Sequence, residues 1–122
     1  MEDSKMIKLK HTSTVSISTG TISASGSYTT EAYDCQELQG FFSLQWTVTG
    51  DGTMKAEVLV SNDGSTFLEI DSDITSAQTK STGTSGVNMV DFEVTPCNQF
   101  KIKFTETGTS NSITVVARLK SF

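Results

Sequence analysis

His11 is the single histidine of this 122-residue chain, so imidazole-based chemistry would have to run through it. A Ser-His-Asp triad would also need a serine on a sharp strand-to-helix elbow, and the Ser- and Thr-rich segment around His11 has none. An exposed or loop position is the plainer reading. Cys35 and Cys97 lie far apart, without metal-ligand spacing and without basic neighbours that would make a reactive thiolate. They read as buried thiols, with a disulfide across the domain as the alternative. Asp51, Asp63, Asp71 and Asp73 lie in Gly-, Asn- and Ser-rich stretches, where a short acid first of all bonds its own backbone. Calcium at Asp71 and Asp73 is the functional alternative, although the spacing is not that of an EF-hand. No phosphate-binding or dinucleotide-binding glycine motif is present. These residues predict no enzyme and no cofactor.

The aromatic residues could serve as a sugar platform only if they stood exposed. Trp46, Phe42, Phe92, Phe100 and Phe104 occupy apolar positions of alternating segments and therefore read as core. Phe41, Tyr28, Tyr33 and Phe67 are left undetermined by the pattern.

The clearest such pattern runs from Phe41 to Phe67. Phe42, Leu44, Trp46 and Val48 alternate with polar residues, and so do Met54, Ala56 and Val58 with Lys55, Glu57 and Leu59. Side chains on a strand alternate faces, so each segment has one apolar side. Gly50-Asp51-Gly52 between them predicts a hairpin that pairs Val48 with Met54 and Trp46 with Ala56. A second turn is expected at Ser61–Ser65, followed by a strand in which Phe67 and Leu68 compete for the inner face through a bulge. Residues 71–86 read as a long polar loop. Val90, Phe92 and Val94 then point inward, and Pro96 ends their strand. Phe100, Ile102 and Phe104 alternate again, as do Ile113, Val115, Ala117 and Leu119. A loop at Thr107–Ser110 predicts a hairpin with Phe104 opposite Ile113. Val116 is a single apolar residue on the outer side.

Upstream, His11 to Ser27 reads as two short strands with a turn at Thr19-Gly20, and Tyr28 to Cys35 as another strand, with a loop over Gln36–Gly40. Residues 1–10 form an N-terminal arm ahead of a β-sandwich domain over 11–122. In the arm Met6, Ile7 and Leu9 interleave with Lys8 and Lys10, and these five are the candidate assembly residues. Such an arm either closes the domain's own sheet or adds to a neighbour's. Because the body from Phe41 onward has its own apolar pattern, the domain is expected to fold without the arm and to lose assembly instead.

Serine and threonine make up about 30% of the chain and hydrophobic residues 35%, a composition of strand faces and turns rather than of helices. The periodicity predicts an all-β, antiparallel sandwich of jelly-roll type with about eight or nine strands. The net charge of −5 argues against nucleic acid as a partner, and no apolar run is long enough to cross a membrane. Met1–Lys5 lacks the apolar core of a signal peptide, so synthesis in the cytoplasm is expected.

Trp46–Thr53, Val60–Phe67 and Phe100–Gly108 together resemble small β-sandwich proteins among the virion-structure genes of tailed bacteriophages. The resemblance spans roughly residues 38 to 120 and leaves the arm unmatched. It implies a non-enzymatic virion structural protein, foremost a capsid decoration or cement protein, with major capsid protein or other virion proteins as partners. It also implies a symmetric homo-oligomer, a trimer being favoured, located in the virion. Ser61-Asn62-Asp63-Gly64, with Phe67, is also similar to a hairpin of discoidin-type carbohydrate-binding sandwiches. That likeness implies the alternative, a glycan- or receptor-binding module of a phage tail or fibre.

Overall fold

Alternation of apolar and polar residues makes each segment a strand with one wet and one dry side, and two such sheets bury their dry sides against each other. The computed structural model describes residues 6–10, 13–34, 40–95 and 97–122, without the side chains of Asp71 and Ser72. His11, Cys35, residues 36–39 and Pro96 lie outside the described residues, as does the start of the arm. The described strands are β1 (Met6–Lys8), β2 (Thr14–Ile22), β3 (Ser27–Thr29), β4 (Ala32–Asp34), β5 (Phe41–Gly50), β6 (Met54–Ser61), β7 (Leu68–Gln78), β8 (Val87–Glu93), β9 (Gln99–Glu106) and β10 (Ile113–Ser121). There is no helix among them, and so none long and apolar enough to cross a membrane.

One sheet has the order β1-β4-β9-β6-β7, with β3 also on β9; the other has the order β2-β10-β5-β8. This interleaving of early and late strands is the jelly-roll arrangement, and the protein is an antiparallel β-sandwich. The exception to antiparallel pairing is β1, which runs parallel to β4 with Ile7 opposite Tyr33.

Jelly-roll topology corrects two of the expected hairpins. β5 and β6 lie in opposite sheets, and so do β9 and β10. Trp46 pairs with Ala117 and Asn88, and Ala56 with Phe104 and Thr75. The glycine-rich segments at 50–52 and 107–110 are arches that carry the chain across the sandwich. An arch and a hairpin both leave the apolar residues facing one interior, so alternation alone does not separate them. β6 and β7 do form a hairpin through the 61–65 turn, with Val60 opposite Leu68 and irregular register further along.

Two more expectations change. Residues 71–78 are not loop but the second half of β7, an edge strand whose polar residues can face water. Thr19-Gly20 is not a turn: β2 runs through it, with a register shift opposite Thr114–Val116. Gly20 has φ of +66°, and Thr19 Oγ1 takes the Val115 N–H at 3.0 Å, as a bulge requires.

The core contains Phe42, Leu44, Trp46 and Val48 from one sheet and Met54, Ala56, Phe100, Ile102 and Phe104 from the other. Phe100 touches both Tyr33 and Phe42, with ring centroids 5.3 and 4.9 Å apart, which joins the sheets at one end. Tyr33 is buried, and that burial pushes its phenol up to about 12. Trp46 is core rather than platform, and its indole N–H has no partner among the described residues.

Candidate functional site

Of the acids marked by the sequence, Asp63 holds a turn and Asp51 and Asp73 pair with lysines, while the side chain of Asp71 lies outside the described residues. Asp63 accepts the Ser65 and Thr66 N–H groups at 2.8 Å each and the Ser61 hydroxyl at 3.0 Å. These bonds, the Thr66 and Ser65 donors foremost, hold its carboxyl below the usual carboxylate range. Asp51 pairs with Lys80 across the surface, which lowers it likewise. Asp73 lies 3.7 Å from Lys55. Among the described residues no three of His, Cys, Asp and Glu come together as a metal cage. Cys97 packs half-buried against the core.

The arm residues separate. Leu9 is buried in the core, and its N–H bonds to the Asp34 carbonyl at 3.0 Å. Ile7 packs half-buried against that core, while Met6, Lys8 and Lys10 are exposed. The Lys10 carbonyl receives the Ser121 hydroxyl. Residues 6–9 thus belong to the edge of the six-stranded sheet of their own chain.

Glu106 is a structural residue that the sequence reading does not single out. It is only 1% exposed and accepts N–H bonds from Ser25 (3.0 Å), Thr53 (2.9 Å) and Gly108 (3.0 Å). One carboxylate therefore ties the β2–β3 turn, the β5–β6 arch and the β9–β10 arch. The Thr53 and Ser25 donors hold it below its ordinary value. Gly52 is required here, because a Cβ would lie 2.7 Å from the Glu106 carboxylate. The signal is present in the sequence: Phe100, Ile102 and Phe104 point inward, so the next inward position on a period of two is Glu106.

Exposed apolar side chains gather on the outer face of the four-stranded sheet. Strand register places Val116, Thr47 and Val87 in one row, Arg118, Gln45 and Met89 in the next, and Lys120, Ser43 and Asp91 in a third. Phe41 lies opposite Glu93 at the end. Met89 is 61% exposed and Val116 51%, with Phe41 and Phe122 also well exposed. At this end Phe41, Phe92, Phe122, Asp91 and Glu93 line a groove of about 500 Å³. Val116 is therefore not an isolated apolar residue; it belongs to a patch. Sequence could not assemble that patch, because β10, β5 and β8 are distant in the chain.

Two smaller grooves flank the Ser61–Thr66 turn. One of about 390 Å³ is bordered by Asn62, Asp63, Thr95 and Cys97. The other, of about 380 Å³, is bordered by Glu31, Phe67, Gln99 and Lys101. Lys101 Nζ lies 4.2 Å from the centre of the Phe67 ring.

No protein-family model matches the sequence, and no curated protein matches it. Solved structures do. PliG of Aeromonas hydrophila, a periplasmic inhibitor of g-type lysozyme, aligns with a TM-score of 0.51 at 8% identity, covering 96% of each chain. A family 6 carbohydrate-binding module aligns at 0.43 and 14% identity, over 82% of this chain and 70% of its own. YomS, a protein derived from the SPBc2 prophage, aligns at 0.38 and 10% identity, over 93% of this chain and 97% of its own. At 8% identity the first likeness speaks for the fold alone. The looser two carry no statement about function.

Proposed function

We propose that this is a non-enzymatic structural protein of a tailed-phage virion, foremost a capsid decoration protein that coats or stabilises the head. The observation that carries the reading is the outer face of the four-stranded sheet, where Val87, Met89, Val116, Phe41 and Phe122 stand exposed together. A flat sheet face that exposes five large apolar side chains among charged ones is an assembly surface before it is a substrate site. The acids support the same reading, since Glu106, Asp63 and Asp51 are engaged in bonds that hold turns or join loops. The likeness of Trp46–Thr53, Val60–Phe67 and Phe100–Gly108 to phage virion sandwiches directs the assembly reading to a particle. Its partners are the major capsid protein, other virion proteins and further copies of itself.

Mass spectrometry of particles purified from the encoding phage or prophage should find the chain in stoichiometric amount. Electron microscopy with labelled antibody should place it over the head lattice. Its absence from purified particles would reject the reading, and clustering at a tail tip would move it to the tail.

A second reading rests on the grooves beside the Ser61–Thr66 turn, one of which is bordered by Phe67 with Lys101 over its ring. Under it the protein is a glycan- or receptor-binding module of a tail or fibre. A glycan array probed with and without calcium should then give binding that Phe67→Ala removes; a blank array would reject it.

A further inference from the structure

We propose that the outer face of the four-stranded sheet pairs with the same face of a second copy, about a twofold axis running parallel to the strands. The inference rests on reading this face as an assembly surface and names what covers it.

Charge on the face is segregated. β10 points Arg118 and Lys120 outward, β8 points Asp91 and Glu93 outward, and the outward positions of β5 between them are uncharged Phe41, Ser43, Gln45 and Thr47. Among the described residues none of these four charged side chains has an ion-pair partner within the chain. A twofold axis along β5 lays β10 of one copy over β8 of the other and keeps each row on its own row. Lys120 then meets Asp91 of the second copy, and Val116 meets Val87 of the second copy. Arg118 lays its aliphatic stem against Met89 of the second copy. Each contact occurs twice, as an isologous interface requires. A twofold axis across the strands would instead set β10 on β10 and bring like charges together. Aligned sheets cross at roughly 30°, so the contacts nearest the crossing point match best.

The area sets the strength. With the axis along β5 three strands overlap, β10, β5 and β8, while β2 falls outside; at about 4.8 Å spacing and over four outward rows they give a face of roughly 400 Å² per copy. Pairing would bury about 800 Å² in all, the size of a weak, transient interface. The dimer should therefore be reversible and depend on concentration.

Sedimentation of the full-length protein from low micromolar to near-millimolar concentration should show a monomer–dimer equilibrium. Lys120→Glu and Asp91→Lys, each alone, should weaken it about tenfold or more by setting like charges together twice. Each should keep the wild-type melting temperature at dilution, because both positions are exposed. Mixing the two variants should restore dimers, since the carboxylate placed at position 120 of one copy then meets the ammonium placed at position 91 of the other. A protein that remains monomeric at every concentration overturns the proposal. So does a dimer indifferent to both substitutions, or a mixture that fails to recover. Particle analysis reports separately: a monomer found in virions rejects the pairing and leaves the virion reading standing, while a dimer absent from particles does the reverse.

Discussion

The two outer faces of the sandwich solve the same problem in opposite ways. On the six-stranded sheet, Lys55 lies 3.6 Å from Glu57 and 3.7 Å from Asp73, Lys103 lies 3.5 Å from Glu69, and Lys101 covers the Phe67 ring. Charges of both signs are interleaved across β6, β7 and β9, and Leu59 is half-buried among them. On the four-stranded sheet, positive charge stays on β10, negative charge on β8, and Met89, Val87 and Val116 stand in water. A face that neutralises itself within one chain has little left to offer a partner. A face that divides its charges and exposes its apolar residues has both the attraction and the area still to be used.

Both faces are laid over one core, so the largest effect should come from the residue at its centre. Trp46→Ala should cost about 3–5 kcal/mol, as large aromatic truncations do, and should abolish the properties of both faces together. Trp46→Phe should cost far less, roughly 1 kcal/mol, because the unpartnered indole N–H leaves with the larger ring. Urea denaturation of the three proteins measures the difference. An alanine variant with unchanged stability would remove Trp46 from the core.

The arm breaks the symmetry between the sheets, since it adds β1 to the six-stranded sheet alone. Removing residues 1–10 withdraws Leu9 from the core and Ile7 from its margin, and should cost about 2–4 kcal/mol. The sequence pattern alone favours a domain indifferent to this deletion. If the truncated protein keeps its urea midpoint and loses only assembly, Leu9 contributes nothing to the fold and the arm acts between copies.

Much of the architecture can be read from alternation, and the errors have a single physical source. Period two states which residues point inward at Phe42–Val48, Met54–Val58 and Phe100–Phe104, and all of these are core. It does not state which sheet a strand joins. Val48 and Met54 point into the same interior from opposite sheets, so Gly50-Asp51-Gly52 resembles a hairpin although it is an arch. β7 is hidden for the complementary reason: it follows an edge, where a strand needs no regular apolar rhythm. The assembly face is hidden because its rows join residues that are distant in the chain, such as Val116, Thr47 and Val87. Glu106 is legible but easily overlooked, being the one acid in an otherwise apolar inward series.

That acid gives the arches a pH dependence. A carboxylate held below its ordinary value favours the fold wherever it is ionised, so its contribution is complete above about 4.5 and is lost as pH falls through the folded-state value. Asp63 and Asp51 are shifted in the same direction, so the whole protein should melt at lower temperature as pH drops from 5 towards 3. Glu106→Gln should start lower at neutral pH, since the amide offers one acceptor oxygen to three N–H donors, and should lose less on acidification. Melting curves across that range measure both slopes. Parallel curves would mean that Glu106 does not supply the acid sensitivity.

The smallest expected effect tests the contrast between the faces most directly. Lys103→Ala removes an ion pair whose partner Glu69 is half exposed, in a geometry that two flexible side chains must be held still to keep. Such pairs contribute about 0–1 kcal/mol, and salt reduces even that. The substitution should therefore lower stability slightly in dilute buffer, by less in high salt, and leave the sedimentation behaviour unchanged. Lys120→Ala on the other face should do the opposite: its ammonium has no acid partner among the described residues and only a long contact to the Phe122 ring, 5.5 Å from its centre, so the monomer should lose little stability while self-association weakens. The two alanine variants, compared by melting and by sedimentation, separate a charge that serves its own chain from one held for a second copy. If Lys103→Ala weakened association as much as Lys120→Ala, the self-neutralised face would be an interface too, and the division of labour between the sheets would fail.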